Sequence, residues 1–308
     1  MFPLIIETKN LTLNFSNRIR ALDNLNLQVP KGIIFGFLGA NGSGKTTTIQ
    51  LLLGLLKPTR GSAKVLGHDT QTQGDLIRDR SGALLAYSGL YERINVRDNL
   101  EFYGKIYRLP KKARGERIKE LLCYMGLWER RHDKVGKLSR GMRQKLAIAR
   151  TLLHRPSLIF LDEPTAGLDP VAASILGETL TEIVARENVT VFLTTHHLAE
   201  AEKLCARVGI LRQGKLLASG SPNELKADMA SQIEIYGRGF GDRLQQLLRS
   251  SPLVTDFEVH RNRLLVNLHP DAEVSLLVRL LVQAGCEIEA VKDKSSLEEI
   301  FLNLMEEQ

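Results

Sequence analysis

The chain has 308 residues, of which 43% are hydrophobic and 25% are charged. This composition excludes wholesale disorder, and the length favours two domains, or one large domain with an appendage. No uncharged apolar run reaches the roughly 18–20 residues that span a bilayer, and the N-terminus lacks the pattern of a secretory signal, so we expect neither feature. Three widely separated cysteines, Cys123, Cys205 and Cys286, argue against a disulfide framework or a cysteine zinc site and fit a reducing cytosol.

Positive charge is concentrated in one stretch of the chain. The net charge is +7, and residues 105–155 contain 16 basic and 4 acidic residues. A block of this kind could contact phosphate, nucleic acid or anionic lipid headgroups. A solvated helical surface explains most of these side chains equally well, and we favour that interpretation.

The first elements alternate between strand and helix patterns. The spacing of apolar residues predicts strands over 5–15, 22–29 and 33–38, the last of them a continuous apolar run typical of a strand buried on both faces. A glycine-rich loop follows, and then a helix from about Lys45 with an apolar face that includes Leu56. Lys57-Pro58 is expected to end this helix.

The middle of the chain is mostly helical in pattern, and two buried strands follow it. Asn95 and Asp98 are spaced as a capping box, basic and apolar residues predict helices over 111–126 and 141–154, and short apolar runs predict strands over 158–161 and 189–194. Strands that alternate with helices indicate an α/β domain with a mainly parallel sheet.

A smaller α+β domain is expected over residues 226–308, after the first domain at 1–225. Within it the predicted elements are strands over 233–236, 257–260, 264–268 and 286–291, helices over 242–249 and 271–284, and a last helix that opens with Ser295-x-x-Glu298.

The glycine-rich loop fits the pattern of a phosphate-binding loop. It lies between a buried strand and a helix and consists of Gly39, Ala40, Asn41, Gly42, Ser43, Gly44, Lys45 and Thr46. Its glycines let backbone N–H groups curl around a phosphate, and the helix start presents further N–H groups to the anion. Lys45 can reach the β- and γ-phosphates and Thr46 can bind Mg²⁺. Thr47 belongs to the same nucleotide-binding segment, with packing or capping as its simpler role.

Two adjacent acids end the strand predicted over 158–161. Ligands of such sheets bind beyond the carboxyl ends of the strands, and neighbouring strand residues point to opposite faces. We therefore expect Asp162 to hold Mg²⁺ and Glu163 to orient or deprotonate an attacking water.

The order of the motifs resembles that of the ATP-binding cassette (ABC) ATPases. The matching segments are the Walker A loop at 39–46, the signature Leu138-Ser139-Arg140-Gly141-Met142, the Walker B strand at 158–163, the D-loop at 166–169 and the switch-histidine motif Thr194-Thr195-His196. The resemblance covers about residues 5–225. It implies a P-loop NTPase fold with a helical subdomain at about 87–155, ATP and Mg²⁺ as cofactors, and ATP hydrolysis.

The resemblance also implies an assembly and further site residues. Two ATP-binding subunits, identical or different, would pair head to tail, with Ser139 and Gly141 acting in trans on the γ-phosphate. His196 would hydrogen-bond that phosphate in cis. Phe15 stands where the family stacks an aromatic ring on adenine, although a core phenylalanine is nearly as plausible at that position. Membrane-spanning permease subunits would come from other polypeptides, which would place this chain at the cytoplasmic face of the cell membrane.

The chain departs from the family pattern at three positions. Arg140 replaces a signature glycine, Met142 replaces a glutamine, and Ala86 stands where the family has a glutamine that contacts Mg²⁺ and faces the membrane partner. The signature variant is similar to that of ABC-2-type exporters of antibiotics and drugs. A non-transport ABC protein acting on ribosomes or DNA fits less well, because the chain has one cassette, and no nucleic acid partner is expected. A weakly hydrolysing, nucleotide-gated module is a third possibility, suggested by Ala86.

Overall fold

The computed structural model describes residues 3–16, 19–85, 88–227, 231–269, 272–293 and 296–306. The chain divides into two compact units, Met1–Ser219 and Gly220–Gln308. Within the described residues, no helix combines the length and apolar character that crossing a membrane requires.

The strands that precede residue 221 form two sheets. In chain order they are β1 (Leu4–Ser16), β2 (Ile19–Leu25), β3 (Gln28–Pro30), β4 (Ile34–Leu38), β5 (Arg60–Val65), β6 (His68–Asp69), β7 (Ser81–Leu84), β8 (Leu158–Asp162), β9 (Thr190–Thr195), β10 (Arg207–Arg212) and β11 (Lys215–Gly220). The helices of the first unit are α1 (Lys45–Leu52), α2 (Gly74–Asp79), α3 (Val96–Ile106), α4 (Lys111–Tyr124), α5 (Arg140–Leu152), α6 (Pro170–Glu187) and α7 (Leu198–Leu204).

A six-stranded sheet with the order β11-β10-β4-β9-β8-β7 forms the centre of the first unit. The pairs from β10 to β7 run parallel, as the alternation of strands and helices predicts. Every residue of β4 and β9 is buried, so both faces of these strands are covered. Leu38 pairs with Thr195, and Asp162 pairs with Thr194, so β4, β8 and β9 end side by side. The loops that follow these three strands therefore meet at one edge.

Aromatic packing holds the middle of this sheet. Phe192 on β9 contacts Phe35, Phe37 and Phe160 on the two neighbouring strands, with ring centroids 5.4–5.7 Å apart. All four rings are fully buried. A rigid, close-packed sheet of this kind fixes the positions at which its strands end.

A second, antiparallel sheet has the order β2-β1-β5-β6, with β3 also paired to β1. The prediction of one strand over 22–29 is wrong, because the chain leaves β2 at Leu25 and pairs again only at Gln28. The sequence did not predict β5. Only Ala63 and Val65 in that strand are deeply buried, which is too short an alternation to recognise.

Helix α1 ends earlier than predicted. It stops at Leu52, and Gly54 turns the chain with a φ of +67° while its N–H donates to Leu51 O. A Cβ at Gly54 would fall 2.5 Å from Thr70 O, so glycine is required there. Lys57-Pro58 therefore lies beyond the helix, and Leu56 is not part of its apolar face.

The capping box at the start of α3 is confirmed. Asn95 Oδ1 accepts the N–H of Asp98, and Asn95 Nδ2 donates to the Asp98 carboxylate. The first bond satisfies a backbone N–H group that the first turn of a helix leaves free, and the second joins the two side chains.

The second unit contains a four-stranded antiparallel sheet with the order β13-β14-β12-β15. Its elements are α8 (Pro222–Ala227), β12 (Ser231–Arg238), α9 (Asp242–Ser250), β13 (Val254–His260), β14 (Arg263–Leu268), α10 (Val274–Gln283), β15 (Glu287–Asp293) and α11 (Leu297–Glu306). From β12 to β15 the chain follows a β-α-β-β-α-β course, which is the ferredoxin-like arrangement. Apolar residues of α9 and α10 pack with those of β12 and β14 in one core.

The last helix starts one residue later than its predicted cap implies. Ser296 Oγ accepts the N–H of Glu299, so Ser296 occupies the capping position. Ser295, the predicted cap, lies outside the described residues.

Candidate functional site

The loop between β4 and α1 has the geometry of an anion cradle. Gly44 lies directly before α1 with a φ of +110°, and no side chain caps this helix start. A Cβ on Gly44 would fall 2.7 Å from Ala21 O, whereas one on Gly42 would meet nothing within 4 Å. The first backbone N–H groups of α1 are thus left without side-chain partners, which suits an anionic ligand. The buried Ser43 hydroxyl at the same loop also has no hydrogen-bond partner among the described residues.

Lys45, the first residue of α1, folds back over this loop. Its side chain is only 6% exposed, and Nζ donates to Gly39 O at 2.7 Å and to Ala40 O at 3.1 Å. The same nitrogen lies 3.2 Å from Glu163 Oε1. A buried ammonium group held by carbonyls and one carboxylate is poised to meet an anion entering the loop.

Thr46 and Asp162 form a set of oxygen atoms beside Lys45. Thr46 Oγ1 donates to Asp162 Oδ2 at 2.7 Å, and Thr194 Oγ1 on the next strand donates to Asp162 Oδ1 at 2.6 Å. Hydroxyl and carboxylate oxygens are the ligands that Mg²⁺ takes, completed by water and phosphate oxygens. Thr194 was noted only as part of a motif, and the structure shows that it fixes the Asp162 carboxylate.

Glu163 adopts a left-handed backbone conformation with a φ of +50°. Two bonds hold it there, because its N–H donates to Thr194 O at 3.1 Å and lies 3.0 Å from Thr194 Oγ1. The two oxygens of its carboxylate have different neighbours. Oε1 lies beside Lys45, and Oε2 lies 2.8 Å from His196 Nδ1. A non-glycine residue at positive φ costs free energy, and such strain is concentrated at functional sites.

Lys45, Thr46, Asp162 and Glu163 line one cleft of about 410 Å³. Its walls comprise Phe15, Ile19, Arg20, Ala21, Asn41, Gly42, Gly44, Lys45, Thr46, Thr47, Asp162 and Glu163. Lys45, Thr46, Asp162 and Glu163 lie at or after the carboxyl ends of β4 and β8, whereas Phe15, Ile19, Arg20 and Ala21 come from β1 and β2. The cleft thus has a charged end suited to phosphates and an apolar end suited to a flat ring.

Phe15 belongs to the apolar end and not to the core. Its side chain is 58% exposed, so the alternative of a core phenylalanine is wrong. The strand β2 also supplies Ile19, Arg20 and Ala21 to this wall. Sequence reasoning missed these three residues, because no motif marks a side chain that reaches a cleft only through the pairing of two antiparallel strands.

Ser139 and Gly141 lie at the start of α5 and do not line this cleft. Ser139 Oγ accepts the N–H of Met142, which is the geometry of a helix N-cap. A Cβ on Gly141 would lie 3.6 Å from Ala172, so the starts of α5 and α6 pack closely. Ala86, the third departure from the family pattern, lies outside the described residues.

Comparison with known proteins decides the family. A profile described as "ABC transporter" matches residues 22–166, and an AAA-domain profile matches residues 134–202. The bacitracin transport ATP-binding protein of Bacillus licheniformis is 35% identical over 98% of this chain and 97% of its own length. The chain belongs to the ATP-binding proteins of ABC transporters. It is an ABC ATPase with the P-loop NTPase fold that its motifs predict.

Other relatives confirm the predicted branch. The daunorubicin resistance ATP-binding protein DrrA3 of Streptomyces coeruleorubidus is 36% identical over 92% of this chain and 91% of its own. A Nod factor export ATP-binding protein of a Rhizobium species is 34% identical over 99% and 98% of the two chains. Together with the bacitracin relative, they identify this chain as an ABC ATPase of the exporter type.

Solved structures agree with the fold of the first unit. A cbiO1 subunit of Clostridium perfringens, part of an ABC transporter complex, superposes with a TM-score of 0.68 at 27% identity, over 73% of this chain and 91% of that one. A dimeric ATP-binding cassette bound to ADP and phosphate gives a TM-score of 0.63 at 27% identity, over 70% and 98%.

Proposed function

We propose that two copies of this chain, or one copy and a similar subunit, pair head to tail around ATP and Mg²⁺ and hydrolyse the ATP at Glu163. The observation that carries this proposal is the convergence of Lys45, Thr46, Asp162 and Glu163 on one cleft at the start of α1. The carboxyl ends of two separate strands, β4 and β8, and the segments that follow them supply these groups, and the packing of the sheet does not require two carboxylates beside a buried lysine.

Nucleotide binding would use the two ends of the cleft. The free N–H groups at the start of α1 and the Lys45 ammonium suit the phosphates, and the exposed Phe15 ring suits the adenine. Thr46 and Asp162 would hold Mg²⁺, which would neutralise phosphate charge there. Lys45 would then exchange part of its present contacts for phosphate oxygens, because one ammonium has three protons to donate.

Glu163 would act on the attacking water once Lys45 turns to phosphate. One carboxylate oxygen is then released, while His196 still orients the other through its 2.8 Å contact. The Glu163 backbone bonds to Thr194 keep the carboxylate at the edge where β8 and β9 end. A base held in this way needs little reorganisation before it takes a proton.

The surface around the start of α5 supports a second copy as the partner. On the adjoining helix α6, Val171 is 68% exposed and Ile175 is 43% exposed, one helical turn apart. Gly141 and Ala172 bring these apolar side chains close to the start of α5, where Ser139 lies. Apolar residues beside a helix start suit a partner that presents both an anion and an apolar surface.

We further propose that the pair drives separate membrane-spanning permease subunits from the cytoplasmic face of the membrane. In this proposal residues 1–225 form the ATP-binding domain, with a helical subdomain at 87–155, and residues 226–308 form an accessory domain. The named roles of the relatives in bacitracin transport, daunorubicin resistance and Nod factor export support an efflux function.

Turnover measurements test the catalytic assignment. Glu163→Gln should lower the ATP hydrolysis rate by about 100-fold or more, the range that a positioned general base supplies, and should leave ATP binding intact. Glu178→Gln removes a carboxylate from an exposed position on α6 and is the matched control, expected to hydrolyse ATP at the parent rate. Equal rates for the Glu163 variant and its parent would contradict the assignment, and a parent without turnover would indicate a nucleotide-gated module.

A further inference from the structure

Arg140 occupies the signature position at which the family pattern has a glycine, and its side chain contacts its own chain's D-loop. Arg140 is the first residue of α5, and its Nη2 donates to Ala166 O at 2.9 Å. The guanidinium lies over Gly167, because a Cβ built there would fall only 2.2–2.3 Å from three of its atoms. Gly167 also has a φ of +68°, so glycine gives this turn both its shape and room for the arginine.

The segment that Arg140 contacts begins at the catalytic carboxylate. Glu163 O accepts the N–H of Ala166 at 3.1 Å, so residues 163–166 form a hydrogen-bonded turn. A second bond joins the same segment to α5, because Gln144 Nε2 donates to Pro164 O at 2.7 Å. A displacement of the start of α5 would therefore also displace backbone within three residues of Glu163.

The charge of Arg140 has no acidic partner within the described part of the chain. Its ordered contact is a backbone carbonyl, and the side chain remains exposed. The start of α5 responds to an approaching anion through its helix dipole, and the Arg140 side chain links that start to Ala166 O.

We propose that Arg140 is a positioning residue that couples the two ATP sites of the dimer. The inference rests on the proposed head-to-tail pairing. There, the start of α5 faces the nucleotide held by the partner, while the turn after β8 carries Glu163 of the chain's own site. Arg140 joins these two places through Ala166. When the partner's γ-phosphate binds at the start of α5, Arg140 transmits the displacement of α5 to the turn that holds Glu163. Occupancy of one site thereby raises ATP turnover at the other.

The test compares Arg140→Ala and Arg140→Lys with the parent protein by measuring ATP hydrolysis against ATP concentration. The parent should show a Hill coefficient clearly above 1. Arg140→Ala keeps the helix but removes the contact with Ala166, so its Hill coefficient should fall towards 1. Its maximal rate should drop about three- to tenfold, the range that one exposed hydrogen bond can supply. Arg140→Lys keeps the charge and one donor and should recover part of both quantities.

Arg143→Ala is the matched control. It removes the same charge one turn further along α5, from a side chain without a hydrogen bond or ion pair to the described residues, and it should keep the parent's Hill coefficient. ATP-dependent pairing is measured in parallel in the Glu163→Gln background, where Arg140→Ala should pair like its parent. Thermal unfolding of each variant verifies that it is folded.

Three results would overturn the inference. The first is an Arg140→Ala protein with the parent's Hill coefficient, and the second is a parent that hydrolyses ATP with a Hill coefficient of 1. The third is loss of ATP-dependent pairing in Arg140→Ala, which would mean that Arg140 contacts the partner's nucleotide directly. A parent that neither pairs nor hydrolyses ATP would instead contradict the proposed function, which keeps the two failures distinct.

Discussion

Lys45 and Glu163 are two charged residues of the cleft that contact each other and neighbouring groups of the protein. The ammonium group donates to two carbonyls of its own loop and forms an ion pair with Glu163 Oε1, which accepts no hydrogen bond within the described residues, whereas Glu163 Oε2 contacts His196. Buried charges need such partners, since an isolated ion in the interior is costly.

Phe15 should contribute to nucleotide affinity and little to stability. Its ring is mostly exposed and lines the apolar end of the cleft, so Phe15→Ala removes a stacking surface without opening a core cavity. Stacking of a base on an aromatic ring is worth about 1–3 kcal/mol, so the dissociation constant for ATP should rise at least about fivefold. Fluorescence titration with a labelled ATP measures this change, and Phe15→Trp should restore affinity. An unchanged dissociation constant in Phe15→Ala would place the adenine elsewhere.

At the scale of single residues, the sequence located the site through motifs whose spacing is fixed by the chemistry. The phosphate loop and the paired acids were found in this way, and the structure brings them into one cleft. Arg20 and Ile19 were missed because they reach the cleft through the pairing of β1 with β2, which is a property of the fold.

At the scale of elements, helix α4 is anchored by a buried ion pair. Arg117 is 4% exposed, and its guanidinium donates to both oxygens of Glu187 at the end of α6 and to Leu152 O at the end of α5. Arg117→Ala would leave Glu187 without this partner, and the free energy of unfolding should fall by about 3 kcal/mol.

Denaturant unfolding checks this value against Arg130→Ala. Arg130 pairs with Asp133 on the surface, where such pairs contribute little, and its loss should change the free energy of unfolding by less than about 1 kcal/mol. Equal effects of the two substitutions would show that the Arg117 pair does not anchor α4.

His154, beyond the end of α5, should make stability depend on pH. Burial lowers the pKa of this histidine, whose ring stacks on Tyr107 and lies 3.1 Å from Ser81 O. Between the lowered pKa and about pH 6.5, the unfolded chain binds a proton at His154 and the folded chain does not. The free energy of unfolding therefore decreases as pH falls through this range. Urea unfolding at a series of pH values measures the slope.

The comparison with His154→Gln isolates this histidine. Glutamine keeps a donor for Ser81 O but does not titrate, so the slope between pH 7 and pH 5 should be shallower in the variant. The Arg114 contact lowers the pKa of Glu101, so this carboxylate affects stability from about pH 5 downwards, equally in the parent and the variant, and the comparison removes its contribution. Parallel pH profiles for the two proteins would contradict the assignment.

Among the elements, those with a strong local signal were predicted and those fixed by distant contacts were not. The caps of α3 and α5 follow from side chains that bond to the first turn of their own helix. Helix α6 was missed although Asp169 caps it and Pro170 is its first residue, a pattern that is recognisable in retrospect. Strand β6 spans two residues and exists only through its pairing with β5.

At the scale of the whole molecule, most basic side chains over 105–155 are exposed or half-buried, as expected for a solvated helical surface. Arg114 and Arg117 are the buried exceptions in that stretch, and they pair with Glu101 and Glu187. Composition gives the number of charged side chains but not which of them are buried. The packing of α3, α4 and α6 determines their burial.

In the proposed dimer, each ATP lies between the phosphate loop of one copy and the α5 start of another. Lys45→Ala and Ser139→Ala therefore damage different walls of one site, and each should suppress ATP-dependent pairing when introduced into Glu163→Gln chains. In a mixture of the two, a mixed pair contains one site with both walls intact. Sedimentation velocity with ATP and Mg²⁺ should show dimers in the mixture and few in either variant alone. A mixture that stays as monomeric as its components, or single variants that pair as well as their parent, would contradict the account.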